Sequence, residues 1–178
     1  MQGDLLQRYD QAAGLIAASQ RPLLICHVAP DGDAIGSLLG LASILRALGK
    51  NATTASQDGV PKNLRFLPGS QRIVVEPPDQ ADLVIALDCS DLERLGTVYD
   101  RALYESIPLL NIDHHVTNLL FGSVNVVPDA TSTAEVAMKP STTTTRRSWA
   151  ACMTAPTIVA ISKPPNAASA SSGVLASG

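Results

Sequence analysis

An α/β fold with an open, mostly parallel sheet and helices on both faces is what this 178-residue chain predicts. Two observations carry that expectation. Short apolar runs alternate along the chain with segments of helical periodicity, the order that produces right-handed crossovers between parallel strands. Three of the apolar runs are followed at once by acids or imidazoles: Cys26 by His27, Leu87 by Asp88, and Ile112 by Asp113-His114-His115. In an open parallel sheet, side chains at the carboxyl ends of neighbouring strands converge on one crevice.

The elements follow in order. Leu5, Tyr9, Ala12, Ala13 and Ile16 recur at helical spacing and predict a helix over 4–19. Pro22 breaks that pattern, and Leu23-Leu24-Ile25-Cys26 reads as a buried strand. A helix over 33–48 is closed by Gly49, which suits the left-handed conformation that commonly ends helices. A strand near 51–55 is followed by a stretch punctuated by Pro and Gly, with a short helix at 64–67. Strands at 73–75 and 83–87 are separated by a loop carrying Pro77-Pro78. A helix over 99–104 leads to a strand at 109–112, residues 123–127 pair at an edge, and Ser132 or Thr133 caps a further helix.

The candidate site is the set of acids and imidazoles after these strands. Asp31, Asp33, Asp88 and Asp113 brought close together are electrostatically unfavourable unless protonated or neutralised by cations, and divalent ions resolve the conflict. Carboxylates mixed with imidazole, without thiolate, favour Mn²⁺ or a similar ion over structural zinc. Cys26 and Cys89 flank the motifs without the paired spacing of a zinc site. Each piece has a plainer reading when taken alone. Pro30-Asp31-Gly32-Asp33 is a good turn sequence, Asp88 a loop carboxylate or helix cap, and His114-His115 a pair of satisfied polar residues. The combination at three strand ends is what points to a metal pair.

Composition narrows the function classes. With 46% hydrophobic and 3% aromatic residues, a core must come from Leu, Val, Ile and Ala. A net charge of −3 argues against a broad electrostatic grip on long nucleic acid, so any nucleotide contact is local. Three cysteines, an odd number without paired spacing, fit a reducing compartment, and the expected location is the cytoplasm. No basic start with an apolar signal core appears, and no apolar stretch reaches the ~18 residues of a membrane span, so no membrane partner is expected.

Three ordered segments resemble the motifs of the DHH phosphoesterases: His27-Val28-Ala29-Pro30-Asp31-Gly32-Asp33-Ala34-Ile35-Gly36-Ser37, then Ala86-Leu87-Asp88-Cys89-Ser90-Asp91, then Asn111-Ile112-Asp113-His114-His115-Val116-Thr117-Asn118. The resemblance is to bacterial members that degrade very short RNA (nanoRNA) and dephosphorylate 3′-phosphoadenosine 5′-phosphate. It implies that His27 and Asp31 bind one metal ion and Asp33 and His114 another, with Asp88 bridging. His115 then faces the phosphate, and Asp113 orients an imidazole. Two ions, with Mn²⁺ implied and Mg²⁺ or Co²⁺ as alternatives, would activate water and clamp the phosphoryl group. The implied substrates are short single-stranded RNA or a small 3′-phosphorylated nucleotide. Single-strand DNA exonuclease and inorganic pyrophosphatase are same-family alternatives.

The resemblance runs from the N-terminus through Ala130–Glu135 and stops near Val136. A fourth motif with a further metal-binding aspartate and a separate small substrate-gripping domain are not recognisable, and no Asp or Glu follows Glu135. The chain is therefore read as a domain over 1–136, lacking its C-terminal part, and a low-complexity, poorly ordered tail over 137–178. A frameshift or truncation, a natural linker, and an unusual folded domain around Trp149 and the run 157–161 are the competing origins of that tail. Loss of the fourth motif predicts impaired turnover. The alternative from another class is a non-catalytic fragment with residual metal or nucleotide binding, and oligomeric state is left open.

Overall fold

The computed structural model describes residues 2–76 and 78–138, and the expectations for the tail from 139 lie outside the described residues. Helix α1 (Gln2–Ala18), strand β1 (Pro22–Cys26) and helix α2 (Gly32–Ala47) come first. Strands β2 (Thr53–Ala55), β3 (Ile73–Val74) and β4 (Leu83–Leu87) follow, then helix α3 (Arg101–Tyr104), strands β5 (Leu109–Ile112) and β6 (Val124–Val126), and helix α4 (Thr133–Ala137). The six strands lie in the order β3-β2-β1-β4-β5-β6, and every pairing is parallel.

Most boundaries shift by a residue or two for identifiable reasons. The helix expected over 99–104 starts at Arg101, because the Asp100 carboxylate accepts from Ala102 N at 2.8 Å and fixes the first turn there. The short helix expected at 64–67 is instead a 3₁₀ turn over Lys62–Leu64, entered from Pro61 without a side-chain cap. Gly49 has φ 82°, the left-handed conformation expected after α2. Residues 123–127 do pair at an edge, as β6 beside β5.

Both faces of the sheet are covered, but unequally. Leu24, Cys26, Ile85, Leu87, Leu110 and Ile112 face one core, which α1, α2 and α4 close with Ile16, Ile35, Leu38, Leu41, Leu45 and Val136. Leu23, Ile25, Val84, Ala86 and Leu109 face the other, covered by a kinked 3₁₀ segment, Leu92–Val98, and by α3 through Leu95, Val98 and Tyr104. β1 and β4 are buried along their whole length, which explains their unbroken apolar sequences in place of alternation. Truncating a fully buried side chain such as Leu24 or Leu41 costs about 2–5 kcal/mol.

Register sets the site. Cys26 pairs with Leu87, and Leu87 with Ile112. The next residue on each strand is His27, Asp88 or Asp113, so the three leave the sheet side by side, with neighbouring strands ~4.8 Å apart. The strand order reverses direction between β1 and β4, where a crevice opens at the carboxyl edge. Helix α4 closes one wall of it by packing on α2, where the Met138 side chain lies against the space beside Gly40.

Candidate metal centre

His27 is nearly buried, and its Nδ1 lies 2.7 Å from the carbonyl of Val28. A carbonyl only accepts, so Nδ1 carries the proton and Nε2 presents its lone pair. That Nε2 is 3.6 Å from Asp88 Oδ2. Asp88 itself is 1% exposed and sits at φ 56°, a left-handed conformation that costs a side-chain-bearing residue of order 1 kcal/mol and that aspartate tolerates better than most. Its other oxygen, Oδ1, accepts from Thr133 Oγ1 at 2.9 Å and lies 3.6 Å from His114 Nε2 and 3.7 Å from His115 Nδ1. The two oxygens of one carboxylate are thus divided between two sets of imidazoles.

The acids of the first motif are held by helix ends. Asp31 caps α2, its Oδ1 accepting from Asp33 N at 2.9 Å and Ala34 N at 3.0 Å. Asp33 reaches the start of α4, where Oδ2 accepts from Thr133 N at 2.8 Å and Oδ1 from Ala134 N at 3.2 Å. Its Oδ2 is also 3.6 Å from His114 Nε2, and the Nδ1 of that ring lies 3.3 Å from the Ala130 carbonyl. His114 therefore also turns Nε2 toward the acids.

Asp113 is fully buried and saturated by protein donors. Oδ1 accepts from His114 N at 2.8 Å and faces His115 Nδ1 at 2.7 Å, while Oδ2 accepts from Asn118 Nδ2 at 2.6 Å. This pairing fixes the His115 ring and directs the orienting contact to His115 rather than to His114. Asn118 in turn ties the loop to β4 and β5 through the Cys89 carbonyl and Asn111 Nδ2.

Two groups of potential ligands result, His27–Asp31–Asp88 and Asp88–Asp113–His114–His115, each with one ligand atom per residue inside 4.8 Å. Asp88 belongs to both. Asp33 stands outside these groups but beside His114. Burial by itself would raise the Asp88 carboxyl, yet the imidazole of His27 and the Thr133 hydroxyl hold it below the usual carboxylate range. The Asp88 carboxylate facing its ring, helped by the Val28 carbonyl, raises His27 above ordinary imidazole despite burial. Burial pushes the Cys26 thiol to about 12 and the Cys89 thiol to about 11, so neither supplies a thiolate. The available donors are carboxylate and imidazole, and separations near 3.6 Å are too long for hydrogen bonds but leave room for a cation. The residues present fit a divalent oxygen- and nitrogen-ligated metal.

All of the residues singled out from sequence, His27, Asp31, Asp33, Asp88, Asp113, His114 and His115, converge on this edge. Thr133 was visible only as a possible helix cap; its contacts with Asp33 and Asp88 span 100 and 45 residues of sequence and leave no local signal. Arg94, whose Nη2 lies 3.2 Å from His27 Nδ1, carried no signal either, because nothing in Glu93-Arg94-Leu95 distinguishes it from a solvated charge.

Comparison with known proteins gives a consistent picture. Residues 22–160 match the model of the DHH family, N-terminal domain. The bifunctional oligoribonuclease and PAP phosphatase NrnA of Thermus thermophilus is 41% identical over 129 residues, which cover 70% of this chain and 37% of that protein. The crystal structure of an exopolyphosphatase-related protein from Bacteroides fragilis is similar with a TM-score of 0.67 and 26% identity, over 74% of this chain and 42% of that one. The chain spans about two fifths of the length of these relatives.

Proposed function

The chain belongs to the DHH family, and on that premise we propose that it is a metal-dependent phosphoesterase domain acting on short single-stranded RNA or on 3′-phosphoadenosine 5′-phosphate. The observation that carries the reading is the division of the Asp88 carboxylate, Oδ2 toward His27 and Oδ1 toward His114. One carboxylate facing two ligand sets is the geometry that a bridged pair of ions requires. Similarity to the oligoribonuclease and PAP phosphatase supports the substrate class. We assign residues 1–136 to this domain, Mn²⁺ as the natural ion, and the cytoplasm as the location that the unpaired cysteines favour.

In this reading His27 and Asp31 would hold one ion and Asp33 and His114 the other, with Asp88 shared between them. Divalent ions bound there supply neutralisation of the phosphoryl charge and activation of an attacking water. The chain's own residues do the positioning. The Val28 carbonyl keeps the proton of His27 on Nδ1, so Nε2 remains a ligand, as backbone acceptors commonly do at metal centres. The N-terminal N–H groups of α4 and the Thr133 hydroxyl hold Asp33 and Asp88 in place before anything binds. Asp113 accepts from His115 Nδ1 and so fixes the ring; with Nε2 also protonated, that ring would donate to a phosphoryl oxygen or to the departing group.

The second reading is a domain that binds metal or nucleotide without turnover. Incubation with Mn²⁺ and a dinucleotide, 3′-phosphoadenosine 5′-phosphate or pyrophosphate separates the two. Hydrolysis that disappears in Asp88→Ala supports the phosphoesterase and identifies its substrate. Mn²⁺ binding without hydrolysis supports the non-catalytic domain, and absence of both overturns either.

A further inference from the structure

We propose that Arg94 is a phosphate-binding residue of this centre, a fixed cation that receives a phosphoryl oxygen beside His27. The proposal deepens the phosphoesterase reading and rests on it. Arg94 comes from the 3₁₀ segment after β4 and is partly buried. Its guanidinium Nη2 lies 3.2 Å from His27 Nδ1. That nitrogen is committed as a donor to the Val28 carbonyl at 2.7 Å, so it cannot also accept from the arginine. A planar fork of N–H donors is therefore held against the Nδ1 edge of His27, one ring away from the candidate ligands, with no acceptor side chain among the described residues. Among the described residues Arg94 forms no ion pair with a carboxylate, and no other Lys or Arg contacts a candidate ligand.

The segment carrying it is built rather than loose. Val28 N donates to the Arg94 carbonyl at 2.8 Å, which ties the arginine's backbone to the strand end that bears His27. Two residues on, Gly96 adopts φ 67° where a side chain would collide with Val28 and Gln57, and Gln57 Oε1 accepts from Thr97 N at 2.8 Å. The backbone is fixed on both sides of the arginine. A guanidinium fixed next to an ion site is repelled when the ions are loaded, unless an anion stands between them. Bidentate donation to phosphate oxygens is the recognition for which that fork is suited.

The test is calorimetric titration of the full chain with Mn²⁺ and then, at saturating Mn²⁺, with inorganic phosphate and with adenosine 5′-monophosphate, for the unsubstituted protein, Arg94→Gln and Arg94→Lys. The expected result is Mn²⁺ affinity within about twofold across all three, phosphate and nucleotide binding at least tenfold weaker in Arg94→Gln, and partial recovery in Arg94→Lys. Equal phosphate binding in Arg94→Gln overturns the proposal. So does loss of Mn²⁺ affinity in that variant, which would make Arg94 a support for His27 alone. Binding of Mn²⁺ but not of phosphate or nucleotide by the unsubstituted chain also overturns it, while leaving the metal centre intact. No Mn²⁺ binding by the unsubstituted chain removes the metal reading and this one together.

Discussion

Two aspartates bracket β4, and they are treated in opposite ways. Asp82, just before the strand, accepts from Ser19 Oγ at 2.5 Å, Gln20 N at 2.8 Å and Arg21 N at 3.0 Å, which closes the amino edge of the sheet. Asp88, just after it, has one hydrogen-bond donor among the described residues, Thr133 Oγ1, and otherwise faces imidazoles at 3.6–3.7 Å. Burial opposes both charges, and donors lower both carboxyls. The difference lies in what completes the coordination. Asp82 is saturated by N–H and O–H donors and is structural, whereas Asp88 faces the Nε2 atoms of His27 and His114 with little donation from them and fits a cation. The same contrast separates Asp113, saturated by His114 N, His115 and Asn118, from Asp88 within the site itself.

Substitution should break this comparison most sharply. Asp88→Ala is expected to abolish metal-dependent hydrolysis and to reduce Mn²⁺ affinity beyond the ~10–100-fold that loss of an outer partner costs. Asp82→Ala is expected to leave Mn²⁺ affinity unchanged and to lower stability by about 1–3 kcal/mol through orphaned backbone donors, read by urea denaturation. Equal effects of the two on metal binding would erase the distinction. A smaller effect is expected of Thr133→Val, which removes the donor to Asp88 but keeps the shape: Mn²⁺ affinity falls about 10–100-fold, and Thr133→Ser restores most of it. An unchanged affinity would show that Asp88 needs no positioning from α4.

Protons sharpen the same contrast. In the metal-free chain His27 is raised by its direct pairing with the Asp88 carboxylate. Its contribution to stability is therefore fully present below the unfolded imidazole value near ~6.5 and is lost as pH rises through the higher folded value. Metal binding runs the other way, since ligation requires the neutral ring. Denaturation midpoints should fall from about pH 6 to about pH 9 for the unsubstituted apo-protein relative to His27→Asn, and a flat difference would contradict the pairing. The smallest effect concerns the thiols: with Cys26 near about 12 and Cys89 near about 11, both should react with a thiol reagent far more slowly at pH 8 than after unfolding. Rapid labelling of folded protein would mean that the site's surroundings open.

How much of this was legible beforehand follows from which interactions are local. The apolar runs of β1, β4 and β5 announce themselves, since strands buried on both faces need no alternation, and the acids after them follow from the parallel topology. The cap at Asp31 and the glycine at 49 are likewise short-range signals. The coupling of α4 to Asp33 and Asp88 was not legible, because it is made by backbone N–H groups that every residue possesses and by one threonine among several. The covering of the second face was also hidden. Leu92–Val98 has neither helical nor strand periodicity, and its 3₁₀ path is set by Gly96 and by contacts with Val28 and Gln57 across the edge. Arg94 is the sharpest case, since its neighbour His27 lies 67 residues away.

The central claim, that Asp88 joins two ion sites, is tested most directly by electron paramagnetic resonance during titration of the full chain with Mn²⁺. The account expects two ions per chain and an exchange-coupled pair signal, present in Asp82→Ala and absent in Asp88→Ala. Isolated single-ion spectra at every loading, or a coupled pair that survives Asp88→Ala, would contradict it.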